Sequence, residues 1–547
     1  MTEDAPPPRP RGLPDPEPAL EPVAEDLSPG SPESQQTPAG LQRSAMRGSW
    51  WTAVQAALGL PLAFAVNLVV ARTLGPHGFG LVASYTAVYA IGLIVLNGGV
   101  SDATLQWGAA AHARGERSAL LDLCRRCAGY HVFVEGPLGA LGAVILLHRE
   151  SVAVQVVGAL AVGATMVIGT NTVLLSAMGR NAVLAKVAIA VGLATQLAVV
   201  TAAVGSHAAG PTWVARIAVA VLSPIGALAL APSDIRRASL HPLPPHHWPD
   251  GFARYAARVL VVTLVQELVF ARTELLVLDA YGDVAAAGVF ALAAGLAAQI
   301  TAPVDAMLGP LIPAAAGLVA IDRERASAAV LRGIRLSSLA TVPVVALGVP
   351  VVAVLVPSVY GGRFALTAAL FVSLGAVSCL QSVLHPMIAF VGALRRPLLS
   401  LGVNTAALVV DLVLVVALVP ALGAVGAVVG NSAGQLVALA APAFILRRYL
   451  QLPVRAAART LTPFVGVLVW VIVVCVVALL VRHHVNAVAL AAVTAVVSLL
   501  GVLGVVRTAG GLLTDDDVAA VVSSFPRAAG PLTRIAGLIG MRGSDPA

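Results

Sequence analysis

Arginine and lysine residues fall in every second gap between the apolar stretches of this chain. From about Trp50 to Val506, roughly fourteen stretches of about 20 residues are long enough to cross the ~30 Å hydrocarbon core of a membrane as helices. Because basic loops resist translocation, the side that carries them stays in the cytoplasm. The basic gaps hold Arg114, Arg117, Arg125, Arg126, Arg180, Lys186, Arg236, Arg237, Arg254, Arg258, Arg323, Arg325, Arg332, Arg335, Arg395, Arg396, Arg447, Arg448, Arg455 and Arg459. The alternate gaps hold only Arg72, Arg149, Arg216, Arg363 and Arg482. The sequence therefore predicts a multi-pass membrane protein with both termini in the cytoplasm.

The composition agrees with a membrane protein. Hydrophobic residues make up 58% of the chain and charged residues 11%, far from the values typical of soluble domains. The net charge of +7 lies in short loops between spans, where it sets topology and contacts anionic lipid. We therefore expect membrane lipid, and no nucleic acid, as a partner.

The spans divide the chain into units. The prediction is an all-α polytopic protein of about fourteen transmembrane helices, with two pseudo-symmetric six-helix lobes and two extra C-terminal helices. The predicted units are a disordered Pro-rich cytoplasmic tail (1–45), an N-terminal lobe (46–232), a cytoplasmic linker (233–253), a C-terminal lobe (254–446), two additional spans (447–506) and a cytoplasmic tail with an amphipathic helix (507–547).

Two glycine-containing turns suggest that the lobes are repeats. Residues 74–81 (LGPHGFGL) join the first span to the second, and residues 281–290 (YGDVAAAGVF) join the seventh to the eighth. Each turn leads into a span that opens with an aromatic and small residues. Transporters often consist of such repeats, with the substrate held between them.

Several kinds of chemistry find no support in the sequence. A phosphate-binding Walker loop needs Gly-Lys followed by Ser or Thr, but the single lysine, Lys186, lies between Ala185 and Val187. Cys124 and Cys127 form a C-x-x-C pair without a second ligand pair nearby. The predicted external loops are nearly all shorter than about ten residues, too short to carry a catalytic site. We therefore expect no ATP hydrolysis, no metal, no cofactor, no catalytic residues and no enzyme activity.

Ionisable residues inside the spans are the candidates for a transport site. Each costs at least about 2.5 kcal/mol near the bilayer centre on insertion scales, so such residues usually face a polar cavity. The candidates are Glu267, Arg272 and Glu274 in the seventh span, Asp411 in the eleventh, Glu135 in the third and Asp305 in the eighth. Asp411 and Asn431 lie at similar distances from the turn that joins their spans, so they could meet at one depth. A purely structural role, such as locking two helices together, stays open for each.

Short segments form an ordered series along the chain: 71–80 (ARTLGPHGFG), 99–104 (GVSDAT), 272–276 (RTELL), Pro313 with 322–325 (DRER), 360–364 (YGGRF), 392–397 (GALRRP) and 420–427 (PALGAVGA). These segments resemble motifs of the oligosaccharide/polysaccharide flippase family, within the multidrug/oligosaccharidyl-lipid/polysaccharide superfamily. They follow the family's order over about residues 47–506. Glu274 stands where the family often has Asp, and Asp411 where it often has Asn.

The resemblance implies a lipid-linked saccharide exporter of the bacterial plasma membrane. Such a protein moves a polyprenyl-pyrophosphate-linked saccharide to the outer leaflet by alternating access between the lobes. Arg47, Arg258, Arg272 and Glu274 are then the expected substrate-binding residues, since arginine binds phosphate well. Asp411, Asn431, Glu267, Glu135 and Asp305 are expected to line the cavity or couple transport to H⁺ or Na⁺, in a monomer. A cation-coupled multidrug exporter and a peptidoglycan-precursor flippase remain alternatives.

Overall fold

The computed structural model describes residues 38–246, 248–269, 273–308, 323–394, 397–508, 513–514 and 541–542. In this part of the chain the helices are α1 (Pro38–Asn97), α2 (Val100–Ala113), α3 (Arg117–Tyr130), α4 (Gly136–Leu146), α5 (Val152–Val167), α6 (Thr170–Ala177), α7 (Asn181–Ser206), α8 (Ala209–Ala220), α9 (Leu222–Leu230), α10 (Ser233–Ser239), α11 (Phe252–Glu267), α12 (Thr273–Ala280), α13 (Val284–Leu308), α14 (Arg323–Pro343), α15 (Val349–Tyr360), α16 (Ala365–Ala393), α17 (Pro397–Leu422), α18 (Ala424–Leu450), α19 (Val454–Val481) and α20 (Ala487–Thr508). Two short strands, β1 (Leu513–Thr514) and β2 (Met541–Arg542), pair in parallel.

Twelve helices of the described residues are long and apolar enough to cross a membrane. They are Pro61–Asn97, Arg117–Leu146, Val152–Ala177, Val183–Ser206, Ala209–Leu230, Val284–Asp305, Arg325–Tyr360, Gly362–Gly392, Leu399–Leu422, Ala424–Leu450, Val454–Val481 and Ala487–Thr508. The predicted fold class, an all-α polytopic membrane protein, is confirmed.

Two features account for the difference between twelve helices and fourteen predicted spans. Pro61–Asn97 contains parts of two predicted spans, which meet at a kink in α1 where Gly75 is non-helical (φ 69°, ψ −179°). The predicted seventh span contains α11 and α12 with residues 270–272 between them outside the described part, so neither described helix is long enough to count alone.

Prolines shape the third and ninth spans in the same way. A π-helical turn, His131–Glu135, precedes Gly136 and Pro137, and another, Val344–Gly348, precedes Val349 and Pro350. Proline has no N–H to bond the carbonyl four residues earlier, and a widened turn accommodates the missing bond. The corresponding span of each predicted half therefore holds the same turn.

The buried apolar residues form one large core and several smaller ones. One large core runs through α12–α20 and reaches Ala71 and Ala87 of α1, so it includes the last two spans. Smaller cores lie within α1–α10, around Trp213 and around Leu174. Many large apolar side chains point outward instead, among them Leu480, which is 73% exposed. Such an apolar exterior suits contact with lipid.

The halves meet at both ends of the second span. At one end, a Cβ on Gly80 would collide with the carbonyl oxygen of Val284, and a Cβ on Gly288 with that of Pro76. At the other end, a Cβ on Gly99 would collide with the carbonyl oxygen of Ala256. We call these the Gly80–Gly288 contact and the Gly99–Ala256 contact. Backbone approaches this close require glycine.

Aromatic residues of two turn motifs pack beside the Gly80–Gly288 contact. The rings of Phe79 and Phe364 lie edge to face, with their centroids 6.3 Å apart, and those of Phe64 and Tyr360 with theirs 6.0 Å apart. Arg72 Nη2 donates to the carbonyl oxygen of Ser358 over 3.4 Å. The first turn motif of the sequence thus contacts the 360–364 motif of the other half.

Two predicted segments lie largely outside the described residues. The N-terminal tail was predicted for 1–45, and the structure describes a helix from Pro38 onward. The amphipathic helix predicted within 507–547 falls mainly between β1 and β2, where residues 515–540 are outside the described part.

Candidate functional site

Three polar side chains from separate helices meet inside the C-terminal half. Glu274 lies in the first turn of α12 and is fully buried. Asn431 of α18 donates its Nδ2 hydrogen to Glu274 Oε1. One helical turn further along α18, Gln435 Nε2 donates to Asn431 Oδ1 over 2.7 Å. A line of hydrogen bonds therefore runs from α18 to the carboxyl group of Glu274.

Asp411 of α17 completes this cluster. It is fully buried, and its carboxyl group is close enough to interact with that of Glu274. Among the described residues, no donor reaches Asp411 Oδ1, Asp411 Oδ2 or Glu274 Oε2. Carboxylate oxygens only accept hydrogen bonds, so the two groups can bond to each other only when one of them carries a proton. Two buried carboxyl groups arranged in this way can share a proton or hold a cation between them.

A stripe of glycines brings Asp411 close to α18. Gly426, Gly430 and Gly434 recur every four residues, so they lie on one face of α18. A Cβ on Gly434 would lie 2.7 Å from the Cβ of Asp411, and one on Gly426 would lie 2.6 Å from the backbone carbon of Leu418. Small residues at this spacing allow close helix packing in membranes. The stripe is the sequence signal that could have placed Asp411 against α18.

The predicted meeting of Asp411 and Asn431 is therefore realised through Glu274. The structure brings together three of the predicted residues, and Gln435 adds a fourth polar group. Within the described part of the chain, no group of three or more His, Cys, Asp and Glu side chains is placed to hold a metal ion.

The other predicted residues lie away from this cluster or outside the description. Arg272 is not among the described residues, and Arg47 lies in α1 without a described side chain. Arg258 is exposed on α11, and Glu267 is half-buried at the end of the same helix. Asp305 is exposed near the end of α13 and accepts a hydrogen bond from Ser382 Oγ at 2.7 Å.

Glu135 belongs to a second buried cluster, in the N-terminal half. Its Oε2 lies 3.3 Å from His131 Nε2, and each side chain is only 3% exposed. The sequence reasoning missed His131. The available signal was the spacing of Cys127, His131 and Glu135, which recur every four residues on one helical face.

Solved structures with this helix arrangement define the class of the fold. An inward-facing multidrug resistance MATE family transporter of the MOP superfamily superposes with a TM-score of 0.54 at 15% identity, over 73% of this chain and 98% of that chain. The lipid II flippase MurJ in an inward closed conformation gives 0.50 at 12% identity, over 84% and 97%. At these identities the likeness concerns the fold: this chain has the fold of MOP superfamily transporters.

Sequence comparison places the chain in a family. No curated protein matches it. Residues 69–369, more than half of the chain, match the family described as polysaccharide biosynthesis protein. The chain belongs to this family, in agreement with the resemblance drawn from its turn motifs.

Proposed function

We propose that this protein is a flippase that moves a polyprenyl-pyrophosphate-linked saccharide from the cytoplasmic to the outer leaflet of a bacterial plasma membrane. It works as a monomer, by alternating access between two lobes and without ATP hydrolysis. One combined observation carries the proposal: this chain belongs to a polysaccharide biosynthesis family and has a transporter fold. A polysaccharide made on a lipid carrier inside the cell must have its carrier headgroup moved across the membrane.

The contacts between the halves support alternating access. The Gly80–Gly288 contact and the Gly99–Ala256 contact lie at opposite ends of the second span. Each joins backbone to backbone with few side-chain atoms between the helices. Separating one pair while the other stays closed would open the space between the lobes to one side of the membrane at a time.

The Glu274–Asp411 pair supplies a coupling site for H⁺ or Na⁺. In an apolar span, two adjacent carboxylates repel each other and are poorly solvated, so binding one cation removes most of that cost. Asn431 links the pair to α18, and Asp411 itself belongs to α17. Binding and release of the cation therefore change the interaction between α12, α17 and α18. Arg272, two residues before Glu274, is the proposed partner of the pyrophosphate.

The test uses the purified full chain in lipid vesicles, with a fluorescent short-chain polyprenyl-pyrophosphate oligosaccharide. An impermeant quencher measures movement between leaflets without ATP, under a pH gradient or a Na⁺ gradient applied separately. We expect movement that one of the two gradients drives. Glu274→Gln and Asp411→Asn should reduce the driven rate at least about tenfold, since each removes a carboxylate of the pair.

A control residue lies on the same helix as Glu274. Asp279 is exposed near the far end of α12, so Asp279→Asn should leave the driven rate unchanged. A requirement for ATP, or equal rates in all variants, would contradict the proposal. Movement of a cationic drug or of a peptidoglycan precursor in place of the saccharide would favour one of the two alternative functions.

A further inference from the structure

We propose that His131 and Glu135 form a proton-binding site in the N-terminal half, separate from the Glu274–Asp411 pair. Both residues lie on the π-helical turn between α3 and α4, and their four-residue spacing directs both side chains to one face. His131 Nε2 and Glu135 Oε2 are 3.3 Å apart. This proposal rests on the proposed function only for its role in transport, because proton binding is measurable without a substrate.

A second π-helical turn that precedes a proline shows that the turn alone does not explain the buried His131 and Glu135. Val344–Gly348 has the same geometry and also precedes a proline, yet it contains only apolar residues and glycine. Proline therefore accounts for the turn in both halves. It does not account for a histidine and a glutamate buried together inside a membrane span, which is costly unless the two groups serve each other or a function.

The second ring nitrogen of His131, Nδ1, also has a polar neighbour. It lies 3.1 Å from the hydroxyl oxygen of Thr170, at the start of α6. Cys127 Sγ lies 3.8 Å from Nε2, one helical turn earlier on α3. The imidazole is therefore held between a hydroxyl group and a carboxyl group, which fixes its orientation.

Few charged or titratable groups among the described residues face Glu135 from neighbouring elements. Tyr89 of α1 and Tyr130 of α3 are close enough to interact electrostatically with Glu135, as is Cys127. Arg216 of α8 interacts with Tyr89 in turn. Within the described part of the chain, Glu135 forms its ion pair with His131.

One proton moves between two arrangements of this cluster. In the proton-loaded form, one arrangement has Glu135 protonated on Oε2 and donating to Nε2, with the Nδ1–H of His131 donating to Thr170. Transfer of that proton to Nε2 gives imidazolium and carboxylate, with the same total charge. Release of one proton leaves a neutral imidazole whose Nε2–H donates to the Glu135 carboxylate, while Thr170 donates to Nδ1.

Asn97 connects this site to the contact between the halves. Its Nδ2 donates to Glu135 Oε2 over 3.4 Å and to Ser101 Oγ over 2.8 Å. Its Oδ1 accepts the backbone N–H of Ser101 at 3.2 Å, in the first turn of α2. Between Asn97 and α2 lie Gly98 and Gly99, both with positive φ, and Gly99 forms the contact with Ala256.

Proton binding at Glu135 therefore acts on Gly98 and Gly99, the two residues that connect α1 to α2. A carboxylate attracts the Asn97 amide more strongly than a protonated carboxyl group does. When Glu135 itself carries the proton, its hydrogen bond with Asn97 is weaker. Asn97, which bonds to Ser101 across Gly98 and Gly99, is then freer to move. We infer that the occupancy of this site sets the position of α2 at the Gly99–Ala256 contact.

Infrared difference spectroscopy of the full chain in lipid vesicles, titrated with pH and without substrate, tests the site. The titrations use proteins that also carry Glu274→Gln and Asp411→Asn, so that the other buried carboxyl pair gives no band. We expect the protein with only these two changes to show a protonated-carboxyl C=O band that appears together with changes in imidazole bands. In that background Glu135→Gln should remove the carboxyl band. His131→Gln should keep it but shift its midpoint by about one pH unit, because the carboxyl group loses its partner. Glu116→Gln, which changes an exposed carboxylate paired with Arg114, should leave the band and its midpoint in place.

A milder variant keeps the test decisive if Glu135→Gln folds poorly. Asn97→Ala leaves the dyad intact but removes a donor to the carboxylate, so the midpoint should move to higher pH. An identical band with and without Glu135→Gln would overturn the proposal, as would a midpoint indifferent to both His131→Gln and Asn97→Ala. A vesicle assay without saccharide movement would instead count against the proposed function, since the infrared titration needs no transport.

Discussion

Two substitutions in the buried cluster around Glu274 should change the stability of the protein in opposite directions. Asn431→Leu leaves Glu274 Oε1 and Gln435 Nε2 without the partners they have in the native cluster. A buried polar group without a partner costs about 1–3 kcal/mol, so we expect this variant to unfold at a lower temperature. Asp411→Asn removes a carboxylate that has no donor among the described residues, and it should unfold at the wild-type temperature or above. Thermal unfolding in detergent, followed by tryptophan fluorescence, compares the two; a loss of stability in Asp411→Asn alone would contradict the assignment.

Arg272 has a different signature, because its proposed role depends on the shape of its guanidinium group. Arg272→Lys keeps the charge but loses the planar pair of donors that suits a pyrophosphate, so export should fall while the protein level stays normal. Arg272→Leu should abolish export. If the arginine only locks two helices, the leucine variant should be scarce and the lysine variant nearly harmless. Exported polysaccharide and protein level, measured for both variants, distinguish these outcomes.

At the scale of elements, glycines decide where helices approach. Gly288→Val adds a side chain at a position where even a Cβ would collide with the carbonyl oxygen of Pro76. We expect α13 to separate from α1 and expose the buried residues beside the contact. The measurement is the rate at which an impermeant maleimide labels the cysteine of Tyr360→Cys. Labelling should be slow when residue 288 is glycine, and at least about tenfold faster in the double variant that also carries Gly288→Val.

The same helix provides the control for this experiment. A Cβ on Gly295 would meet nothing within 4 Å, so Gly295→Ala should leave the labelling rate of Tyr360→Cys unchanged. The four native cysteines are buried, which keeps the background low. Slow labelling in the Gly288→Val protein would mean that this contact does not seal the space around Tyr360.

At the scale of the whole molecule, the distribution of arginines predicts orientation. Reporter fusions after Ser206 and after Tyr360 should read as external, and those after Arg237 and after Arg448 as cytoplasmic. In the structure Ser206 ends α7 and Tyr360 ends α15, while Arg237 lies in α10 and Arg448 in the last turn of α18. A single reversed reporter among the four would contradict the predicted topology.

The sequence alone specified the class of fold, because the need to satisfy backbone hydrogen bonds in lipid leaves a long apolar segment little choice but a helix. It also identified the turn motifs that place the chain in its family, and it named Glu274, Asp411 and Asn431. Hydropathy did not reveal that widened helical turns would precede two prolines, in the third and ninth spans.

Tertiary structure decided which polar residues meet. Glu274 and Asn431 are 157 positions apart, and only the packing of α12 against α17 and α18 brings their side chains into contact. Asp305, equally charged and equally placed within a span, remains exposed, and Glu135 joins His131 in the other half. Helical periodicity determines the face on which a residue lies, but not the helix that covers that face. That depends on close packing between distant segments, set here by small residues such as Gly80, Gly288 and Gly434.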